Sequence, residues 1–160
     1  MNKKLFFVLF CISICFIRPS YSADYDTAPL FKLQDIDQDA ISLDSYKNRP
    51  VLLIFWTTWC PMCPSELKDL NNNYTIFKKD GIDVLAINSG ELADEVSDFV
   101  NKYYLAYRIL LDKDTLVTRA YGIENFPTYV LINSKGKIVF TNNYSPLEEY
   151  KKLISDEEGG

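Results

Sequence analysis

Apolar residues along this chain follow two periods, and the places where the period changes divide it into elements. Phe31 and Leu33 alternate with polar neighbours, with Ile36 just beyond. Asp37-Gln38-Asp39 then interrupts, and Ala40-Ile41-Ser42-Leu43 resumes the alternation. Period-two patterning on either side of a short acidic turn predicts a β-hairpin. Asp44-Ser45-Tyr46-Lys47 reads as one helical turn. Pro50 precedes Val51-Leu52-Leu53-Ile54-Phe55-Trp56, a continuous apolar run rich in branched and aromatic side chains. Such a run leaves no polar face for water, so it predicts a central strand buried on both sides.

Beyond the run the spacing lengthens. Cys63, Leu67, Leu70, Tyr74 and Phe77 recur at intervals that place them on one face of a helix over residues 62–78, with Gly81 as its C-terminal cap. Residues 82–88 read as a second interior strand. Leu92, Val96, Phe99 and Val100 mark a second amphipathic helix, entered by Glu91. A short strand follows at 107–111, then a turn at Asp112-Lys113-Asp114 and a short helix over 115–121 ended by Gly122. Thr128 to Ile132 and Ile138 to Thr141 predict a hairpin around Asn133-Ser134-Lys135-Gly136. Pro146 suits the first position of a last helix, with Leu147, Tyr150, Leu153 and Ile154 facing inward. Right-handed crossovers through this order produce an α/β architecture, a mixed central sheet flanked by helices on both faces.

At 160 residues and 48% hydrophobic content, the chain has enough apolar material for one domain with a sizeable core. The first 22 residues read differently. Lys3 and Lys4 precede an apolar stretch over 5–17, and Ser20-Tyr21-Ser22 offers small residues for cleavage. That is the pattern of a secretory signal, and the stretch is short for a membrane span. An uncleaved anchor over 5–17 is the alternative. The expected organisation is therefore a signal peptide at 1–22, a linker at 23–29, a domain at 30–154 and a flexible tail at 155–160. Lys3, Lys4 and Arg18 leave with the signal, so the rest carries 14 basic against 22 acidic residues. A net charge near −8 argues against nucleic acid as a partner, because phosphate binding needs clustered Lys and Arg.

The signal also takes Cys11 and Cys15 with it. What remains is Cys60 and Cys63, in Trp59-Cys60-Pro61-Met62-Cys63, and the chain has no histidine. Two ligands make at most half of a zinc site, so no metal is expected. A bridge across so short a loop stabilises little. Export to an oxidising compartment and the position at a helix N-terminus favour sulfur chemistry instead. Cys60 is expected to be the exposed thiolate that attacks a partner's disulfide. Cys63, on the apolar helix face, would then resolve the mixed disulfide. Trp59 would shield the site and offer contact area to the partner.

Phe55-Trp56-Thr57-Thr58-Trp59-Cys60-Pro61-Met62-Cys63 resembles the active-site segment of thioredoxin-fold proteins, most closely of the extracytoplasmic TlpA/ResA type. Tyr121-Gly122-Ile123-Glu124-Asn125-Phe126-Pro127-Thr128 is similar to the family's segment around a cis-proline, with Asn125 where glycine is frequent. The resemblance covers residues 30–154. It implies a thioredoxin fold with an N-terminal β-hairpin extension and a periplasmic thiol-disulfide oxidoreductase with no cofactor beyond the Cys60–Cys63 disulfide. It implies reduction as the direction, apocytochrome c among the protein thiols and disulfides served, and an upstream membrane electron donor. It also implies a cis bond before Pro127, with Trp59, Pro61, Met62, Phe126 and Pro127 forming the partner surface. Glu66 falls where the ResA-like proteins carry a functional glutamate, which makes it the candidate proton acceptor for Cys63. Thioredoxin's own buried aspartate is replaced here by Ile54.

Two other functions stay open on sequence. Thr57, three residues before Cys60, also occurs in peroxiredoxins and admits a thiol peroxidase. A non-catalytic thioredoxin-fold module would bind clients through the Phe126-Pro127 groove without using the cysteines.

Overall fold

The structure is a computed structural model and describes residues 26–155. The signal read over 1–22, the start of the 23–29 linker and all but the first residue of the tail lie outside the described residues. The strands are β1 (Lys32–Asp35), β2 (Ala40–Ser42), β3 (Val51–Trp56), β4 (Asp83–Ser89), β5 (Arg108–Asp112), β6 (Thr128–Ile132) and β7 (Ile138–Asn142). The helices are α1 (Cys63–Lys79), α2 (Ala93–Tyr103), α3 (Leu116–Ala120) and α4 (Tyr150–Ser155), with a 3-10 turn at Leu43–Tyr46.

One sheet runs β2-β1-β5-β4-β3-β6-β7. Strand β3 lies between β4, to which it is parallel from Val51 opposite Asp83 to Trp56 opposite Asn88, and β6, to which it is antiparallel. Hydrogen bonding on both edges and packing on both faces explain why all six of its side chains are buried. Leu52, Ile54 and Trp56 face a core shared with α1, α2 and α4. Leu53 and Phe55 face the opposite core, built with Phe31, Leu43 and Val117. Each such large apolar side chain contributes roughly 1.5–3 kcal/mol by leaving water. The mixed sheet, the helices on both faces and the leading hairpin are those expected.

Three local readings are corrected. Helix α2 starts at Ala93, and Glu91 turns inward before it rather than entering it. Helix α4 starts at Tyr150, because Pro146 opens a turn whose carbonyl accepts the N–H groups of Glu149 and Tyr150 at 3.0 and 2.8 Å. The end of the linker is docked: the Ala28 N–H donates to Gly136 O at 3.0 Å and the Ile138 N–H to Asp26 O at 2.9 Å. At the hairpin, buried Asp35 accepts the N–H groups of Asp37 and Asp39 and pairs with Arg108 at 2.6 Å, tying β1 to β5.

Candidate active site

Strand β3 delivers the chain to the edge of the core, where Thr57-Thr58-Trp59-Cys60 leaves the sheet and a turn through Pro61 and Met62 leads into α1. The Cys60 and Cys63 sulfurs are bonded, with Cα atoms 5.4 Å apart. The first N–H groups of any helix lack intrahelical partners. Here the Cys63 N–H donates to the Cys60 sulfur at 3.2 Å. Together with the positive end of the α1 dipole, that contact favours a negative sulfur at Cys60 once the disulfide is reduced.

The expectation of an exposed Cys60 is not met. It is 3% exposed, and Cys63 is 0% exposed. In the bonded state the Cys60 sulfur is folded against the start of α1, and backbone from another part of the chain covers it. The Phe126–Pro127 bond is cis, and the Phe126 carbonyl oxygen lies 3.3 Å from the Cys60 sulfur. The Thr128 hydroxyl donates to Asn125 O at 2.7 Å and closes this loop, and Asn125 keeps an ordinary negative φ. Around the covered sulfur the surface is apolar and open. Trp59 is 69% exposed and Met62 60% exposed. The Trp59 ring stands edge-on to that of Phe126 at 5.9 Å. Pro61 is exposed and Pro127 buried.

Glu66 sits half-buried in the first turn of α1. The Tyr129 hydroxyl donates to its Oε2 at 3.1 Å. Tyr129 is fully buried, opposite Ile54 in the β3–β6 register. Burial above all, and the neighbouring Glu66 next, push this phenol's pKa well up, so the hydroxyl stays protonated and remains a donor.

A second acid lies on the other side of the dithiol. Glu91 Oε2 accepts the Thr58 N–H at 2.7 Å and the Asn88 side-chain amide at 2.6 Å, while its Oε1 accepts the Thr58 hydroxyl. It thereby ties the end of β4 to the loop carrying Cys60. Sequence reasoning missed this role. An acid just before an amphipathic helix reads as a favourable dipole charge, and its donors at Thr58 are 33 residues away. The available signal was its place directly after an interior strand, where a carboxylate needs donors.

With this geometry in hand, similarity to known proteins becomes specific. The chain matches the AhpC/TSA family over residues 25–141. It belongs to that family. It is 36% identical over 135 residues to the thiol-disulfide oxidoreductase ResA of Bacillus subtilis (strain 168), covering 82% of this chain and 75% of that one. Identity to the ResA of Halalkalibacterium halodurans is 35% over 131 residues, covering 79% and 74%. The crystal structure of StoA from Bacillus subtilis superposes with a TM-score of 0.67 at 28% identity, covering 79% of this chain and 96% of that one. The fold is the thioredoxin fold, and the activity is that of a protein-disulfide oxidoreductase acting on protein thiols and disulfides.

The arrangement also bears on the peroxidase reading. That chemistry would aim the Thr57 hydroxyl at the reactive sulfur. Thr57 is fully buried, and its Oγ1 finds no hydrogen-bond partner among the described residues. The sulfur instead has a bonded partner three residues on.

Proposed function

We propose that this protein is an exported, periplasmic reductant of protein disulfides that works through Cys60 and Cys63. Cys60, as thiolate, attacks one sulfur of a client disulfide. The client's S–S bond breaks, a Cys60–client bond forms, and the client's other sulfur leaves with the electron pair. Glu66 takes the proton of Cys63. The Cys63 sulfur attacks Cys60, the mixed disulfide breaks, and the client departs fully reduced as Cys60–Cys63 closes. Two electrons have passed from the dithiol to the client, so the cycle requires a dithiol donor upstream, here assigned to a membrane protein.

The observation that carries the reading is the placement of the Cys60 sulfur between the Cys63 N–H at 3.2 Å and the Phe126 carbonyl at 3.3 Å, beneath exposed Trp59 and Met62. The N–H favours the thiolate. The backbone beside Pro127 offers an extended client segment a strand edge, and Trp59, Pro61, Met62 and Phe126 offer it apolar contact. The resemblance to ResA-type proteins supports apocytochrome c as client and export by residues 1–22. Among the described residues no helix is long and apolar enough to cross a membrane.

Cys63→Ser in the exporting host tests this. It should accumulate mixed disulfides at Cys60, with apocytochrome c among the trapped clients. A measured potential near about −270 mV marks a reductant and one about 150 mV higher an oxidant. A Cys60–Cys63 pair that exchanges with no dithiol under mild conditions overturns the proposal. Activity surviving loss of both cysteines would favour a binding module.

A further inference from the structure

Two buried tyrosines reach the early turns of α1 from the sheet beneath. Tyr107, just before β5, donates its hydroxyl to Leu67 O at 2.9 Å. Tyr129, from β6, donates to a side chain as well as to backbone: its hydroxyl lies 3.1 Å from Glu66 Oε2 and 3.4 Å from the Glu66 carbonyl oxygen. We propose that Tyr129 is a positioning residue for disulfide exchange, fixing the place of the Glu66 carboxylate on the turn that carries Cys63. The inference rests on the reading of Glu66 as the proton acceptor.

Four observations support it. First, Tyr129 is 0% exposed and packed in the same core as Cys63 and Leu67, so its hydroxyl position is set by rigid surroundings. Second, the phenol keeps its proton, since burial and Glu66 both oppose its ionisation. Third, no cation takes this role: among the described residues Glu66 makes no salt bridge. The titratable groups that act on Tyr129 are Glu66, Tyr107 and Asp69, none of them cationic. A neutral hydroxyl is then the donor that fixes the carboxylate. Fourth, only Oε2 is engaged. Oε1 accepts no hydrogen bond among the described residues, which leaves it free to receive the Cys63 proton. Throughout the step Tyr129 donates a hydrogen bond and transfers nothing. The proton moves from Cys63 to Glu66, and the electron pair on the Cys63 sulfur makes the new bond to Cys60.

The test compares two steps of the full chain with a small aromatic disulfide: attack by Cys60, and resolution of the mixed disulfide by Cys63. Tyr129→Phe removes the donor with little change of volume. It should slow resolution about tenfold at neutral pH and leave the rate of the first attack in place, a split that general loosening of the fold would not produce. In a Glu66→Gln background the same substitution should have no further effect. If Glu66→Gln slows resolution while Tyr129→Phe leaves it unchanged, the inference is overturned and the Glu66 reading stands. If Glu66→Gln leaves resolution unchanged, both fall. Should Tyr129→Phe fail to fold, the tyrosine itself decides. With tyrosine labelled at the ring carbon bearing the hydroxyl, the Tyr129 resonance should differ between the unaltered protein and Glu66→Gln, and coincident resonances overturn the inference.

Discussion

Two glutamates flank the dithiol, and they are held in opposite ways. Glu91 is buried before α2, and both of its oxygens are committed, accepting two donors from Thr58 and one from Asn88. Glu66 is half-buried on α1, with one oxygen holding one hydroxyl and the other free among the described residues. A carboxylate whose acceptor sites are filled is part of the scaffold, because protonation would discard donors that have nowhere else to go. One with acceptor capacity to spare is able to take a proton and give it back. The first acid thus ties down the reactive loop, and the second has the open acceptor site that the proposed proton transfer requires.

Removing each acid should separate these roles. The largest effect expected is on stability at Glu91. Glu91→Ala strands the Thr58 N–H and the Asn88 amide in a buried site and should cost about 3 kcal/mol, read by denaturant unfolding. Glu66→Ala should cost less than about 1 kcal/mol in the same assay, because the acid is partly exposed and the Tyr129 hydroxyl keeps the carbonyl oxygen of residue 66, 3.4 Å away, as an acceptor. Equal losses would dissolve the contrast. The kinetic effect should run the other way. Glu66→Gln should slow resolution of the mixed disulfide by about 10²-fold at neutral pH while leaving the unfolding midpoint in place. A resolution rate unchanged from wild type would remove Glu66 from the chemistry.

The tyrosines provide a weaker handle. Burial pushes the phenols of Tyr107 and Tyr129 well up from their ordinary value of 10.0. A raised folded-state pKa means that their contribution is complete below about pH 10. Above that the unfolded chain ionises and the folded one does not. Stability should therefore hold level to about pH 10 and then fall by about 1.4 kcal/mol per pH unit for each phenol. Tyr107→Phe and Tyr129→Phe should each flatten that fall, as followed by urea midpoints across alkaline pH.

The smallest effect belongs to a third, exposed acid. Asp80 is held below its ordinary 3.8, first by the Tyr150 hydroxyl and then by Lys151. Its depressed pKa means that the contribution is present above 3.8 and is lost as pH falls through the folded value. The difference in Tm between wild type and Tyr150→Phe should include a small part that disappears on acidification. A difference independent of pH would assign the whole effect to packing.

Most of this architecture was legible before folding was considered. The apolar run Val51–Trp56, the helical spacing from Cys63 to Phe77 and the hairpin around Asn133 are local patterns. A strand buried on two faces or a helix buried on one has to satisfy them wherever it ends up. The Cys60–Cys63 spacing on a strand-to-helix turn was as plain, because the chemistry and the helix start that supports it lie within four residues of each other. Element ends were less legible, as the late start of α4 after Pro146 illustrates, since a proline suited to a first helical position equally opens a turn. What no local pattern carried was the surroundings of the dithiol. Phe126 O over Cys60, Tyr129 beneath Glu66 and Thr58 against Glu91 join residues 66, 63 and 33 positions apart. Their meeting depends on sheet order and register, and hence on the burial of the whole core. For the same reason Cys60, which its helix-start position made look open, is covered by backbone contributed from beyond β5.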